Sequence, residues 1–157
     1  MKKLALLSLL TLSACASHCP CSEKKTTVIP TENVVQRNPK AFAEAYMAYL
    51  KEIGKVPLHK VSEIPHPFSA DCKKTMNGAV VAKSSDEFVA QLSQAKKMYQ
   101  LWKFEGIEII PSQSTNSATI HYVISSQGLG RLEVLKVLRF AENGKVKEVL
   151  EVFAEAK

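Results

Sequence analysis

Long hydrophobic runs are missing from this 157-residue chain. Its most apolar stretch, Leu4 to Leu12, is too short to cross a bilayer core, which needs about 20 apolar residues. Glycine and proline are scarce, six and seven, so neither a collagen-like nor a low-complexity chain fits. No block of like charge occurs, and no basic tract or nucleic-acid motif, so nucleic acid is not an expected partner. A Gly-rich phosphate loop, a nucleophile elbow and a zinc signature are also absent, and no cofactor or metal is expected. There is no internal repeat. What remains, 46% hydrophobic and 23% charged, reads as one globular domain of ordinary size.

The N-terminus has its own organisation. Met1-Lys2-Lys3 is a positive start, Leu4 to Leu12 an export-type apolar core, and Leu12-Ser13-Ala14-Cys15 follows. This last segment resembles the lipobox of bacterial lipoproteins. The resemblance implies cleavage after residue 14, a diacylglycerol on the Cys15 thiol and an acylated amino group. Two or more acyl chains anchor a protein stably where one does not. Residues 1–14 are thus expected to be a signal peptide, 15–37 a lipidated, polar linker, and 38–157 the domain. Ala16 in place of an aspartate favours the outer membrane, facing the periplasm, if the host has one. Loss of Lys2 and Lys3 lowers the formal charge from +6 to +4.

Cys19, Cys21 and Cys72 then remain, an odd number in an oxidising compartment. His18-Cys19-Pro20-Cys21 either binds a soft metal or is a feature of the tether. Cys19 and Cys21 are too close for an unstrained bridge, and either could pair with Cys72.

Asn38-Pro39 opens a helix, with Phe42, Tyr46, Tyr49, Leu50 and Ile53 at helical spacing and Gly54 at its end. Pro57, Pro65 and Pro67 allow a short second helix. Cys72 to Met76 and Ala79 to Val81 form a hairpin across Asn77-Gly78. Ser84-Ser85-Asp86-Glu87 is a capping box before a third helix with Phe88, Leu92, Ala95 and Tyr99 on one face. The period then changes to two. Strands are expected at Trp102–Ile110, bulged at Gly106, at Ala118–Ser125, at Arg131–Phe140, and at Lys145–Phe153 after an Asn143-Gly144 turn. The fold class is α+β: about three N-terminal helices on one face of a strongly bent antiparallel sheet.

This order resembles the SnoaL-like branch of the nuclear-transport-factor-2-like superfamily, which has a cystatin-like cone. The matching residues are Pro67-Phe68-Ser69-Ala70-Asp71-Cys72, Asn77-Gly78, the cap at Ser84, and Leu138 to Val146 around Asn143-Gly144. The resemblance implies a pocket between helices and sheet. In the ketosteroid-isomerase type a tyrosine and two aspartates line it. Tyr46 or Tyr49 matches the tyrosine. The carboxylate positions fall at Met76 and Lys136, so both carboxylates are expected to be missing.

The expected function is therefore an envelope lipoprotein whose domain binds a small hydrophobic or acidic ligand, or a protein partner, without catalysis. The alternative is a SnoaL-like isomerase, cyclase or dehydratase using Tyr46, His121 and Lys136. Tyr46, Trp102, Lys136, Leu138 and Phe140 are the expected pocket residues. Lys136 breaks the apolar alternation of Leu132, Val134, Leu138 and Phe140. There it acts as the cation for an acidic ligand, or packs its stem and holds its head at the rim. His121 is an acid–base candidate or a hydrogen-bonded sheet residue. A homodimer through the open sheet face would use Leu135, Val137, Val149 and Phe153.

Overall fold

The computed structural model describes residues 37–156. Helix α1 spans Pro39–Lys55 and a 3-10 helix Leu58–Glu63. Strands β1 (Phe68–Met76) and β2 (Ala79–Ala82) precede helix α2 (Ser85–Met98). Strands β3 (Gln100–Ser112), β4 (Ser117–Gln127), β5 (Gly130–Phe140) and β6 (Val146–Glu155) complete the chain. The six strands form one curved open sheet in the order β2-β1-β6-β5-β4-β3. The expected α+β class, helices against a strongly bent sheet, is what the chain adopts.

Local signals account for most boundaries. Asn38 caps α1, its Oδ1 accepting from Ala41 N at 3.1 Å. The helix buries Ala43, Tyr46, Met47, Leu50 and Ile53, one stripe at helical spacing. It runs one residue past Gly54 and stops where Pro57 forces Val56 into extended backbone. Gly54 serves a different purpose from a stop: a Cβ there would lie 3.2 Å from Trp102 Cβ, so its bareness lets α1 sit against β3. Ser84 Oγ accepts from Glu87 N at 3.2 Å, as a cap should. Glu87, however, reaches the N–H of Lys83 at 2.7 Å and not that of Ser84, so the box closes one residue early.

Asn77 and Gly78 both have positive φ, 46° and 85°, the two-residue loop that matches strand twist. At the second hairpin Gly144 alone turns left-handed, with φ 79°. Its N–H donates to Ala141 O at 3.0 Å, while Ala141 N donates to Lys145 O at 2.8 Å. Strand β3 carries two register shifts, one between Glu105 and Glu108 at Gly106 (φ 59°) and one between Gln100 and Lys103 at Leu101 (φ 57°). Bulges of this kind bend a strand and increase its twist.

One topological feature was not expected from the sequence. Strand β1 lies parallel to β6, with Lys74 opposite Val149 and Met76 opposite Glu151. The first hairpin is thereby joined to the last strand and forms one end of the sheet. The core between sheet and helices holds Tyr46, Phe68, Phe88, Ile53, Ile120 and Leu138, all fully buried.

The outward face of the sheet corrects one expectation. Leu135 and Val137 lie on it, paired with Val152 and Leu150. Val149 is fully buried, and Phe153 lines the cavity between sheet and helices, so both point the other way. The outward residues of β6 are thus Leu150 and Val152, one position away from those expected.

Candidate functional site

The site is a cavity of about 300 Å³ between α1, α2 and the sheet. Leu50, Leu92, Trp102, Phe104, Ile124 and Val134 make its walls. Met98, more than half exposed, lies at its outer end with Leu129. Its inner end is charged, and the charges come from three adjacent strands. Glu151 on β6 pairs directly across from Lys136 on β5. On the other side, β1 brings Lys74 diagonally beside it, because Met76 is the residue paired with Glu151.

All three side chains are nearly or fully removed from solvent. Lys74 is 3% exposed, Lys136 4%, and the Glu151 side chain 11%. Glu151 Oε2 lies 3.2 Å from Lys74 Nζ and 3.0 Å from Lys136 Nζ. Lys136 also donates to Tyr46 Oη at 3.0 Å and sits 5.5 Å from the centroid of the Tyr122 ring. Lys74 donates to Gln91 Oε1 at 3.0 Å and lies 5.0 Å over the Phe88 ring.

This arrangement treats the two lysines differently. Burial disfavours both ammonium ions. For Lys136 burial is the largest single influence, but the Glu151 carboxylate together with Tyr122 and Tyr46 outweighs it and holds the pKa well above the usual lysine value. For Lys74 burial wins: with the Lys136 charge adding to it, the pKa falls to about 8 although Glu151 opposes. Burial would push Glu151 up, but the ammonium groups of Lys136 and Lys74 together hold it at about 2. Burial raises the phenols of Tyr46 and Tyr122 despite Lys136. Near neutral pH the cluster is therefore two cations on one anion, with neutral tyrosines around them.

The residues singled out from the sequence are not all here. Tyr46 and Lys136 are brought into contact, and Lys136 and Trp102 line the cavity. Lys136 is not a rim lysine; its head is at the buried end. Trp102 Nε1 donates to Tyr99 O at 2.6 Å, which fixes the ring at the wall. Leu138 is buried in the core away from the cavity, and Phe140 packs edge-on against Phe42 with centroids 5.4 Å apart. Both lie further along β5, beyond the end of the cavity. His121 is on the opposite face of the sheet, its Nε2 2.8 Å from Glu133 Oε1. Met76 does line the cavity.

Two of the charged groups were missed. Glu151 means that the cavity is not free of carboxylates, as the resemblance had implied. Lys74 sits in a strand rich in polar residues, Ser69 to Thr75, where nothing marks one lysine as buried.

Cys72 is a free, fully buried thiol on β1, and burial pushes its pKa up to about 12. Such a group is inert packing. Cys15, Cys19 and Cys21 lie outside the described residues, and so does the His18-Cys19-Pro20-Cys21 segment. Among the described residues no three metal-ligating side chains converge.

Comparison with known proteins places the fold. No family model matches the chain, and no curated protein matches it. Solved structures do. A protein of unknown function from Exiguobacterium sp. 255-15, described as NTF2-like, aligns with a TM-score of 0.59 at 13% identity, covering 73% of this chain and 99% of the other. A putative isomerase of the SnoaL-like family from Agrobacterium tumefaciens str. C58 aligns at 0.54 and 13%, covering 73% and 95%. SalBIII, an epoxide hydrolase/cyclase-like enzyme of salinomycin pyran-ring formation, aligns at 0.58 and 11%, covering 75% and 94%. The described domain has the fold shared by these SnoaL-like and NTF2-like structures.

Proposed function

We propose that this domain is a binding protein for small amphipathic acids, held at a membrane through Cys15. The observation that carries the reading is the excess positive charge at the buried end of an apolar cavity. Glu151 neutralises one lysine, and no second carboxylate is among the residues lining the cavity to neutralise the other. A ligand's own acid group completes the set. Its alkyl or aryl body takes the place of water against Leu92, Trp102 and Phe104. A mostly apolar pocket with a few placed polar groups is the usual form of a small-molecule site.

The charge that selects the acid is Lys74 and not Lys136, because Lys136 is already committed to Glu151 and Tyr46. Octanoate and octanamide, titrated calorimetrically, separate charge from shape. Octanoate should bind more tightly than the amide by about tenfold, corresponding to roughly 1.4 kcal/mol. Lys74→Met should erase that difference and leave amide binding in place. Lys74 is charged below a pKa of about 8 and neutral above it. The preference for the acid should therefore fade as the pH rises through 8, and octanoate binding there should take up a proton. Equal affinity for acid and amide at pH 7, or no binding of either, refutes the proposal.

The enzyme alternative draws support from neighbours such as the cyclase-like enzyme. The carboxylate at hand suits it poorly. With a pKa of about 2, Glu151 is too weak a base to take a proton from carbon at neutral pH.

The anchor rests on Leu12-Ser13-Ala14-Cys15. Cys15→Ser should move the protein from the membrane to the soluble fraction of lysed cells, because the thiol is the acceptor of the lipid. Retention equal to that of the wild type refutes a lipid anchor.

A further inference from the structure

Two lysines on one carboxylate leave an amine that the ion pair does not consume. We infer that Lys74 is a nucleophile that holds carbonyl compounds covalently, forming a reversible imine with apolar aldehydes that enter the cavity. The inference rests on the cavity being a binding site, as proposed above, but it asks more of Lys74 than charge.

The geometry supplies each requirement. Lys74 is among the residues lining the cavity, at its charged inner end, so a carbonyl carried on an apolar chain meets its amine head first. The nitrogen donates to Gln91 Oε1 at 3.0 Å and stands 3.2 Å from Glu151 Oε2 as an ion pair. These contacts hold the nitrogen in place. Lys136 stands on the same Glu151 oxygen at 3.0 Å and remains charged. A desolvated amine beside a permanent cation is the environment that frees a lysine lone pair at moderate pH.

The ionisable surroundings of Lys74 are few. Glu151 faces it from β6, Lys136 from β5, and Cys72 lies on its own strand. Tyr46 on α1 and Tyr122 on β4 stand behind Lys136 and stay neutral. Helix α2 presents Gln91 and Phe88, neither of which ionises. Burial, with the Lys136 charge, brings the Lys74 pKa to about 8.

The chemistry balances without an added reagent. The neutral amine attacks the carbonyl carbon, a C–N bond forms and the carbonyl π pair moves to oxygen. The Lys136 ammonium is the nearby charge for that oxygen. The proton on the nitrogen passes to that oxygen, giving a neutral carbinolamine. The hydroxyl leaves as water with the remaining N–H proton while the nitrogen lone pair forms C=N, which yields the imine. Hydrolysis reverses every step. No electron is gained or lost.

The test is reductive trapping of the full-length protein with octanal and sodium cyanoborohydride, read by peptide mass spectrometry. The expected result is an octyl group on Lys74 formed at least about tenfold faster than on exposed lysines such as Lys51, Lys103 and Lys147. The rate should rise through pH 8 and level off above it. Excess octanoate should protect Lys74 and leave the exposed lysines unprotected. Lys74→Arg removes the amine and should abolish the fast labelling. Urea-unfolded wild type, which needs no folded variant, should lose it as well. Labelling of Lys74 no faster in the folded protein than in urea overturns the inference. If octanoate binds and Lys74 is not labelled, the imine fails alone and the acid-binding reading stands. If octanoate neither binds nor protects and Lys74 is not labelled, both fail.

Discussion

Glu151→Gln is expected to destabilise the domain by about 3–5 kcal/mol, the usual cost of removing one partner from a buried ion pair. The substitution keeps the shape of the side chain and removes its charge. Two ammonium groups, 3% and 4% exposed, are then left facing one another in an apolar cavity. The pH dependence gives the same group a second signature. Glu151 has a folded pKa of about 2 against an ordinary 4.5, so its contribution is complete above 4.5 and disappears as the pH falls through 2. That difference corresponds to about 3 kcal/mol of acid-sensitive stability. Urea midpoints between pH 2 and 7 should fall for the wild type on the acid side and lack that component in the variant. The variant should instead gain stability as the pH rises above neutrality, where its unpaired lysines discharge. A wild-type midpoint at pH 7 that the substitution does not change would mean that the three charges do not act on one another.

Most of the fold was legible because its punctuation is local. Asn38-Pro39, Ser84 and the two Asn-Gly pairs each fix a boundary through a hydrogen bond or a backbone conformation within a few residues. The parallel pairing of β1 with β6 was not legible. It joins residues 75 or more positions apart, and no periodicity within either strand encodes it. The extra turn of backbone at Leu101 was hidden for another reason, since a leucine gives no sign of adopting positive φ.

The site was half legible. Lys136 stood out because it interrupts an apolar face. Glu151 did not, because β6 has acidic residues at 148, 151 and 155, spread over both faces of the strand. The signal that locates it was present in the hairpin. Residues equidistant from Asn143-Gly144 face each other, so Lys136, seven before the turn, pairs with Glu151, seven after it. Counting outward from that turn also sends Val149 and Phe153 inward with Leu138 and Val134. The turn fixes the register, and the register fixes the charge of the cavity. Leu138 and Phe140 share a face with Lys136, which in the sequence alone groups them with the pocket. The cavity follows β5 only through residues 132 to 136, and α1 fills the space beyond.

Phe68→Ala is the complementary experiment, with a large effect on stability and a small one on the site. Phe68 is fully buried at the start of β1. Its ring stacks on Phe88 of α2 with centroids 4.2 Å apart, meets Tyr49 of α1 edge-on at 5.4 Å, and lies 5.5 Å from His66. One ring thus holds β1 to both helices, and the strand's far end carries Lys74. Truncation removes the apolar surface and leaves a hole that three rigid elements cannot easily close, at a cost of about 3–5 kcal/mol. Phe68→Leu refills part of the space and should cost less. Phe68 is not part of the cavity lining, so octanoate affinity measured well below the unfolding transition should change less than tenfold in either variant. A strong loss of affinity with stability intact would show that the site depends on how Phe88 seats the Lys74 ammonium, 5.0 Å from its ring. A loss of stability under about 1 kcal/mol, below the range for emptying a buried aromatic site, would mean that β1 is held by its pairing with β6 and not by this cluster.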